Sequence, residues 1–424
     1  MIRKTSCGIG GIGIAAIGFV AVASPAFAGD TLTTLASFNG TNGAYPGSSL
    51  TLSGGTLYGT TQFGGANNGG KVFAVPVTGG TPTTLVSFSG TDGYGPAGVT
   101  LSGGTLYGTT GDGGGAGSYG TVFSAPVNGG TPTTLVSFKG GDGKFPAAGV
   151  TLAGNTLYGT TSEGGWGTIY TGGTNIYGTV FSLPINGGTP TTLVTFNGTN
   201  GAIPYVGVTL SGGTLYGTTF AGGSYGGPYG TGFFPNGGGT VFSLPAAGGP
   251  PTTLASFNGI NGSGPDGGLI LSGNTLYGTT AGGGANSDGT VFSLPVAGGT
   301  PTILATFNGI NGAGPDAGLI LSGSTLYGTT SQGGANNDGT VFSVPITGGT
   351  PTTLVSFNGT NGAAPEGALT LSGSTLYGTT NAGGANNDGT VFEISTPEPA
   401  SWALLAVSAA AGLLLLRRRR CTKV

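Results

Sequence analysis

Leu326-Tyr327-Gly328-Thr329-Thr330 is one of seven copies of the same pentapeptide, whose tyrosines are Tyr58, Tyr107, Tyr158, Tyr216, Tyr277, Tyr327 and Tyr377. The copies recur at intervals of roughly 50 to 60 residues, the size of one four-stranded propeller blade. Around this copy, residues 319–321, 325–330, 339–346 and 352–357 are short runs rich in Leu, Ile, Val, Thr and Phe. Between them lie Ser322-Gly323-Ser324, residues 333–338 and residues 347–351, all of turn-forming composition. No stretch of residues 29–396 shows helical periodicity. The repeats predict an all-β, seven-bladed β-propeller. A parallel β-solenoid is the alternative that glycine-rich repeats also serve.

The order of runs predicts how such a ring closes. Residues 31–38 have the character of the last strand of a unit, and residues 389–394 that of the third. The N-terminal run should therefore complete the seventh blade as its outer strand, removing the two ends of the array together. Gly328 inside a strand costs roughly 0.5–1 kcal/mol against alanine. Its missing side chain is expected to admit a ring from the next blade, with Tyr327 filling the space between sheets.

Both ends carry a separate signal. Arg3 and Lys4, an apolar stretch over residues 9–23, and Ala26-Phe27-Ala28 have the form of a cleaved export signal, residues 1–28. At the other end Pro397, Glu398 and Pro399 precede an apolar run, residues 400–416, and then Arg417, Arg418, Arg419 and Arg420. The run is close to the shortest helix that spans a bilayer, and the arginines would hold the tail on the cytoplasmic side. Residues 397–424 resemble the PEP-CTERM sorting signal of Gram-negative bacteria that make exopolysaccharide. That resemblance implies processing by signal peptidase and an exosortase-like enzyme, transient inner-membrane anchoring with a periplasmic ectodomain, then delivery to the cell surface or extracellular matrix. Exopolysaccharide becomes a candidate partner.

Composition narrows the chemistry of residues 29–396. Of 424 residues 97 are glycine and none is histidine, yet the glycines fall at fixed repeat positions, unlike those of a disordered segment. The cysteines, Cys7 and Cys421, lie in the terminal segments, so no disulfide can staple the domain. It has no arginine, and its carboxylates far outnumber Lys71, Lys139 and Lys144. Nucleic acid, which demands basic patches, is a poor partner. Without histidine, cysteine or arginine the usual triads, thiol chemistry, zinc sites and phosphate clamps are handicapped. A non-enzymatic protein without a cofactor is the expectation.

The motifs Leu-Tyr-Gly-Thr-Thr, Gly-Gly-Ala-Asn-Asn-Asp and Gly-Thr-Val-Phe together resemble the GloVer tandem-repeat family, whose members carry interchangeable C-terminal anchors. The resemblance implies a surface repeat protein with no catalytic activity attached. The first unit departs from it, with Lys71 in place of threonine in the third motif.

Two groups of residues are candidate sites on the long-loop face. Insertions in the third and fourth units bring Trp166, Tyr170, Tyr177, Tyr225, Tyr229, Phe233 and Phe234 into adjacent blades, rings suited to stacking on sugars or gripping a protein. The bland reading is that they fold their own loops onto the rim. The last three units place Asp266, Asp316 and Glu366 after proline, and Asp288, Asp338 and Asp388 before glycine. Oxygen-rich loops of this kind can take calcium, although Asp-Gly is an ordinary turn dipeptide and no EF-hand spacing is present.

Overall fold

A computed structural model describes residues 31–165, 177–225 and 238–395, and its regular elements are all β-strands. They form seven four-stranded antiparallel sheets arranged as a propeller. Blade 6 shows the pattern: Ile320–Ser322, Thr325–Thr330, Thr340–Pro345 and Thr352–Ser356 lie side by side from the axis outward. Blade 7 contains Thr370–Ser372, Thr375–Thr380 and Thr390–Ser395, and its outer strand is the N-terminal Leu32–Ser37. That strand runs antiparallel to Thr390–Ser395, with Leu32 opposite Ile394 and Ser37 opposite Thr390. Residues 1–28, Pro397, Glu398, Pro399, the apolar run and Arg417 to Arg420 lie outside the described residues. Among the described residues no helix is long and apolar enough to cross a membrane.

Each position of the pentapeptide has a separate physical task. Leu326 is fully buried. Gly328 faces Phe342 across the strand pair, and a Cβ built on it would lie 2.7 Å from the end of that ring. The glycine therefore makes room for a ring of its own blade, which corrects the expectation of a ring from the next one. The first threonine reaches the neighbouring blade: Thr279 Oγ1 donates to the carbonyl of Ala317 at 2.9 Å, and Thr379 to that of Ser48 at 3.0 Å. The second threonine stays at home, as Thr330 shares a hydroxyl hydrogen bond of 2.8 Å with Thr340 on the third strand.

Blade meets blade through phenylalanine. Phe342, seated over Gly328, presents its ring to Phe307, which follows the outer strand of blade 5, at 4.9 Å and 67°. The equivalent edge contact occurs at every junction, including Phe357 with Phe392 and, across the seam, Phe38 with Phe73. Around each pair an apolar cluster unites the two sheets; at the 5/6 junction it includes Tyr277, Val291, Leu304, Leu319, Leu326 and Val344. Tyr327 packs in the corresponding cluster between blades 6 and 7, where a ring was expected to fill the gap.

In blade 1 Lys71 replaces the third-strand threonine and is buried at 7% exposure. Its Nζ donates to Thr84 Oγ1 at 3.0 Å, and burial pulls the amine below its usual pKa. Lys71→Thr would restore the missing hydroxyl pair with Thr61 and remove a buried amine. It should raise stability by about 1 kcal/mol in equilibrium denaturation. Gly328→Ala forces a methyl against Phe342 and should cost about 1–3 kcal/mol by the same measurement.

Candidate ligand-binding site

The innermost strands surround a cavity of about 690 Å³ on the propeller axis, walled by segments from all seven blades. Its wall is placed by a device repeated at each junction. In six units a proline precedes the inner strand by five residues, in blade 2 Pro96 lies within the inner strand Tyr94–Ser102, and in all seven its ring lies against a glycine of the preceding blade. A Cβ on Gly289 would lie 2.4 Å from Pro315 Cδ, and one on Gly389 would lie 2.5 Å from Pro46 Cδ. The amide just before the proline donates to the carbonyl just before that glycine: Gly314 to Asp288 at 3.0 Å, Ala364 to Asp338 at 2.9 Å, Tyr45 to Asp388 at 3.0 Å.

That pre-proline residue takes a left-handed backbone in each blade. Glycine fills it in three, but Tyr45 (φ 58), Phe145 (φ 57), Ile203 (φ 58) and Ala364 (φ 50) fill it in the others, at a cost of roughly 1–2 kcal/mol for a side chain there. The latch fixes the next residue after proline at the cavity wall.

Seven positions after proline thus ring the axis: Gly47, Ala97, Ala147, Tyr205, Asp266, Asp316 and Glu366. Blades 1 to 3 contribute small side chains and open space. Blade 4 contributes Tyr205, 38% exposed, with Phe220 edge-on to its ring at 5.5 Å. Blades 5 to 7 contribute three carboxylates. Behind each stands the residue following the pentapeptide. Ser331 Oγ donates to Asp316 Oδ2 at 2.6 Å, and Asn381 hydrogen-bonds Glu366. Behind Asp266 the equivalent residue is Ala281, which has nothing to donate.

Burial, reinforced by the charges of Asp316 and Glu366, pushes Asp266 up to about 7. Burial also raises Asp316, against the hydrogen bond from Ser331. Glu366 is raised by burial and by Asp316, with Asn381 opposing. Such shifts in a cavity mark a candidate binding site rather than a structural ion pair.

The six acids expected on one loop face divide into two sets. Asp266, Asp316 and Glu366 reach the cavity, whereas Asp288, Asp338 and Asp388 turn toward their own outer loops: their Oδ2 atoms would lie 3.8, 3.7 and 3.7 Å from a Cβ on Gly309, Gly359 and Gly40. No three acids among the described residues are gathered closely enough to hold one metal ion. Of the insertion aromatics, Trp166, Tyr170, Tyr229, Phe233 and Phe234 lie outside the described residues. Tyr225 is 58% exposed. Tyr177 is half-buried against Ala202, Ile203, Phe220 and Ala221, packing at the junction of blades 3 and 4. Tyr205 was not among the sequence candidates; its place directly before an inner strand is the signal that locates it at the axis.

Comparison with known proteins places the chain by its repeats. Residues 16–168 and 229–412 match the model of the Gloeobacter/Verrucomicrobia repeat. No curated protein matches the sequence. Among solved structures, the chain is similar to a puromycin-hydrolysing peptidase of Mycobacterium tuberculosis, at 13% identity and a TM-score of 0.49 over 87% of this chain. It spans 55% of that protein's length. A gluconolactonase from Xanthomonas campestris aligns at 14% identity and a TM-score of 0.42, over 87% of this chain and 90% of its own. Likeness at these levels carries no information on activity.

The Asp266 shift gives a pH test. A carboxyl that holds its proton more tightly when folded contributes stability fully present below its unfolded pKa, near 4, and lost as pH rises through about 7. Asp266→Asn should therefore raise the melting temperature at pH 8 and flatten its decline between about pH 4 and 7. A variant with the wild-type pH profile would mean that Asp266 ionises normally.

Proposed function

The chain belongs to the Gloeobacter/Verrucomicrobia repeat family, and from that membership we propose an exported, non-enzymatic repeat protein with a binding role at the cell surface or in the extracellular matrix. The supporting observation is the contrast between a uniform frame and a cavity wall whose composition changes from blade to blade. Repetition alone would have made that wall uniform. In this reading residues 1–28 direct export, and signal peptidase removes them. The Pro397-Glu398-Pro399 motif, the apolar run and Arg417 to Arg420 tether the chain in the inner membrane until an exosortase-type enzyme acts. The absence of arginine between residues 29 and 396 disfavours polyanionic partners.

A second reading, carbohydrate binding, is favoured by the exposure of Tyr225 on the blade 4 loop and of Tyr205 at the cavity. Aromatic faces beside polar loops suit stacking on sugar rings, and exopolysaccharide would be the partner. Tyr225→Ala would then weaken retention of the chain on that polysaccharide.

Cell fractionation tests the address. An epitope-tagged full chain should appear at the surface or in the medium, and removal of residues 397–424 should release it in soluble form from the periplasm. Retention of the intact chain in the cytoplasm would contradict the proposal.

A further inference from the structure

Thr218 breaks the repeat at the edge of the acidic sector. Its hydroxyl is fully buried, at 1% residue exposure, and has no hydrogen-bond partner. The same threonine in five other blades reaches a wall carbonyl of the next blade, Thr109 to Ala148, Thr160 to Val206, Thr279 to Ala317, Thr329 to Gly367 at 3.5 Å and Thr379 to Ser48, while Thr60 of blade 1 pairs with the Ser48 hydroxyl instead. For Thr218 the equivalent carbonyl is that of Gly267, adjoining Asp266, and that bond is not made. A Cβ on Gly267 would lie 2.6 Å from the Ala317 carbonyl oxygen of blade 6, much as one on Gly367 would lie 2.7 Å from that of Ser48.

Asn381 is also left short of a partner, at the other end of the sector. Its Oδ1 is buried without a donor, and a Cβ on Gly47 would lie 3.6 Å from it and 3.3 Å from Glu366 Oε2. From blade 5 to the seam the wall therefore offers acceptors, the carboxylates of Asp266 (with Ala281 behind it), Asp316 and Glu366, and behind Glu366 the Asn381 Oδ1 accepts from no donor. Among the described residues no lysine or arginine lines the cavity to supply them.

We propose that this sector binds an organic ligand bearing primary ammonium groups, held by Asp266, Asp316 and Glu366 against the ring of Tyr205. An ammonium carries three donors and no acceptor, which matches the deficit. A cation also gains from the face of an aromatic ring in a partly desolvated site. Because the carboxylates come from three successive blades and are not gathered around one point, they suit several amines spaced along a chain better than one metal ion. A cavity of about 690 Å³ is of the size that takes small organic ligands. Two sources share this chemistry, free polyamines and glucosamine units of a polysaccharide. The inference rests on the binding role proposed above but not on the cellular address, so failed export would leave it standing.

Isothermal titration calorimetry on the full chain tests it, with spermidine and a glucosamine trimer as ligands. The N-acetylated trimer and calcium chloride serve as comparisons. At least one amine should bind, the spermidine and glucosamine arms naming the source, and N-acetylation should abolish the glucosamine signal. Asp266→Asn should weaken the amine at least tenfold, a variant expected to fold because it removes a destabilising charge. Asp338→Asn, outside the cavity, should leave binding unchanged. Absence of binding by both amines, equal binding of the N-acetylated trimer, calcium as the only ligand, or equal losses in both variants would each overturn the proposal.

Discussion

A ring of sheets can bury every blade face only if its last junction is as good as the others, and here that junction is made between chain segments more than 300 residues apart. Leu32–Ser37 supplies the fourth strand of blade 7. Leu35, Ala36 and Phe38 then join Leu50, Leu57, Phe73, Tyr377 and Val391 in one buried cluster. The polar contacts of other junctions recur there, Tyr45 bonding Asp388 and Thr379 bonding Ser48, and within blade 7 Asn386 Nδ2 donates to the Phe38 carbonyl at 2.9 Å. With both cysteines in the terminal segments, nothing covalent secures this seam. Pairing and burial must hold it, and the cavity exists only while they do.

Much of this frame was legible in the sequence because each repeated residue answers a local demand. The turn glycines, the β-rich runs and the complementary terminal strands led to seven sheets and to the closing pair. Gly328 was harder. Periodicity showed that something large needed its missing side chain, but only the pairing of Gly328 with Phe342 shows that the ring belongs to the same blade. The cavity was less legible still. Asp266 and Asp288 both looked like loop acids, and they part because one follows a proline that leads into an inner strand while the other precedes a third strand. Tyr205 is less legible because it stands apart from the aromatic-rich insertions, and only its position after Pro204 in the unit brings it to the axis.

Symmetry in the frame and asymmetry in the wall have separate causes. Residues in the latch cannot change independently, since the Gly389 to Pro46 contact and the Tyr45 to Asp388 bond each join two blades. The residue after proline is free of that constraint and can differ at each blade. Its companion behind the wall differs with it: Phe220 stands behind Tyr205, Ser331 behind Asp316 and Asn381 behind Glu366. Where the companion does not match, at Asp266 and Ala281, the wall keeps an unsatisfied charge. Function, on this view, is carried by departures from the repeat.

The seam is the most direct place to test the whole structure. Equilibrium unfolding of the chain lacking residues 31–38 should show a lower midpoint and a broadened transition, and a synthetic peptide of that sequence added in trans should restore both. An unfolding curve indistinguishable from that of the intact chain would mean that the ring does not depend on its closing strand.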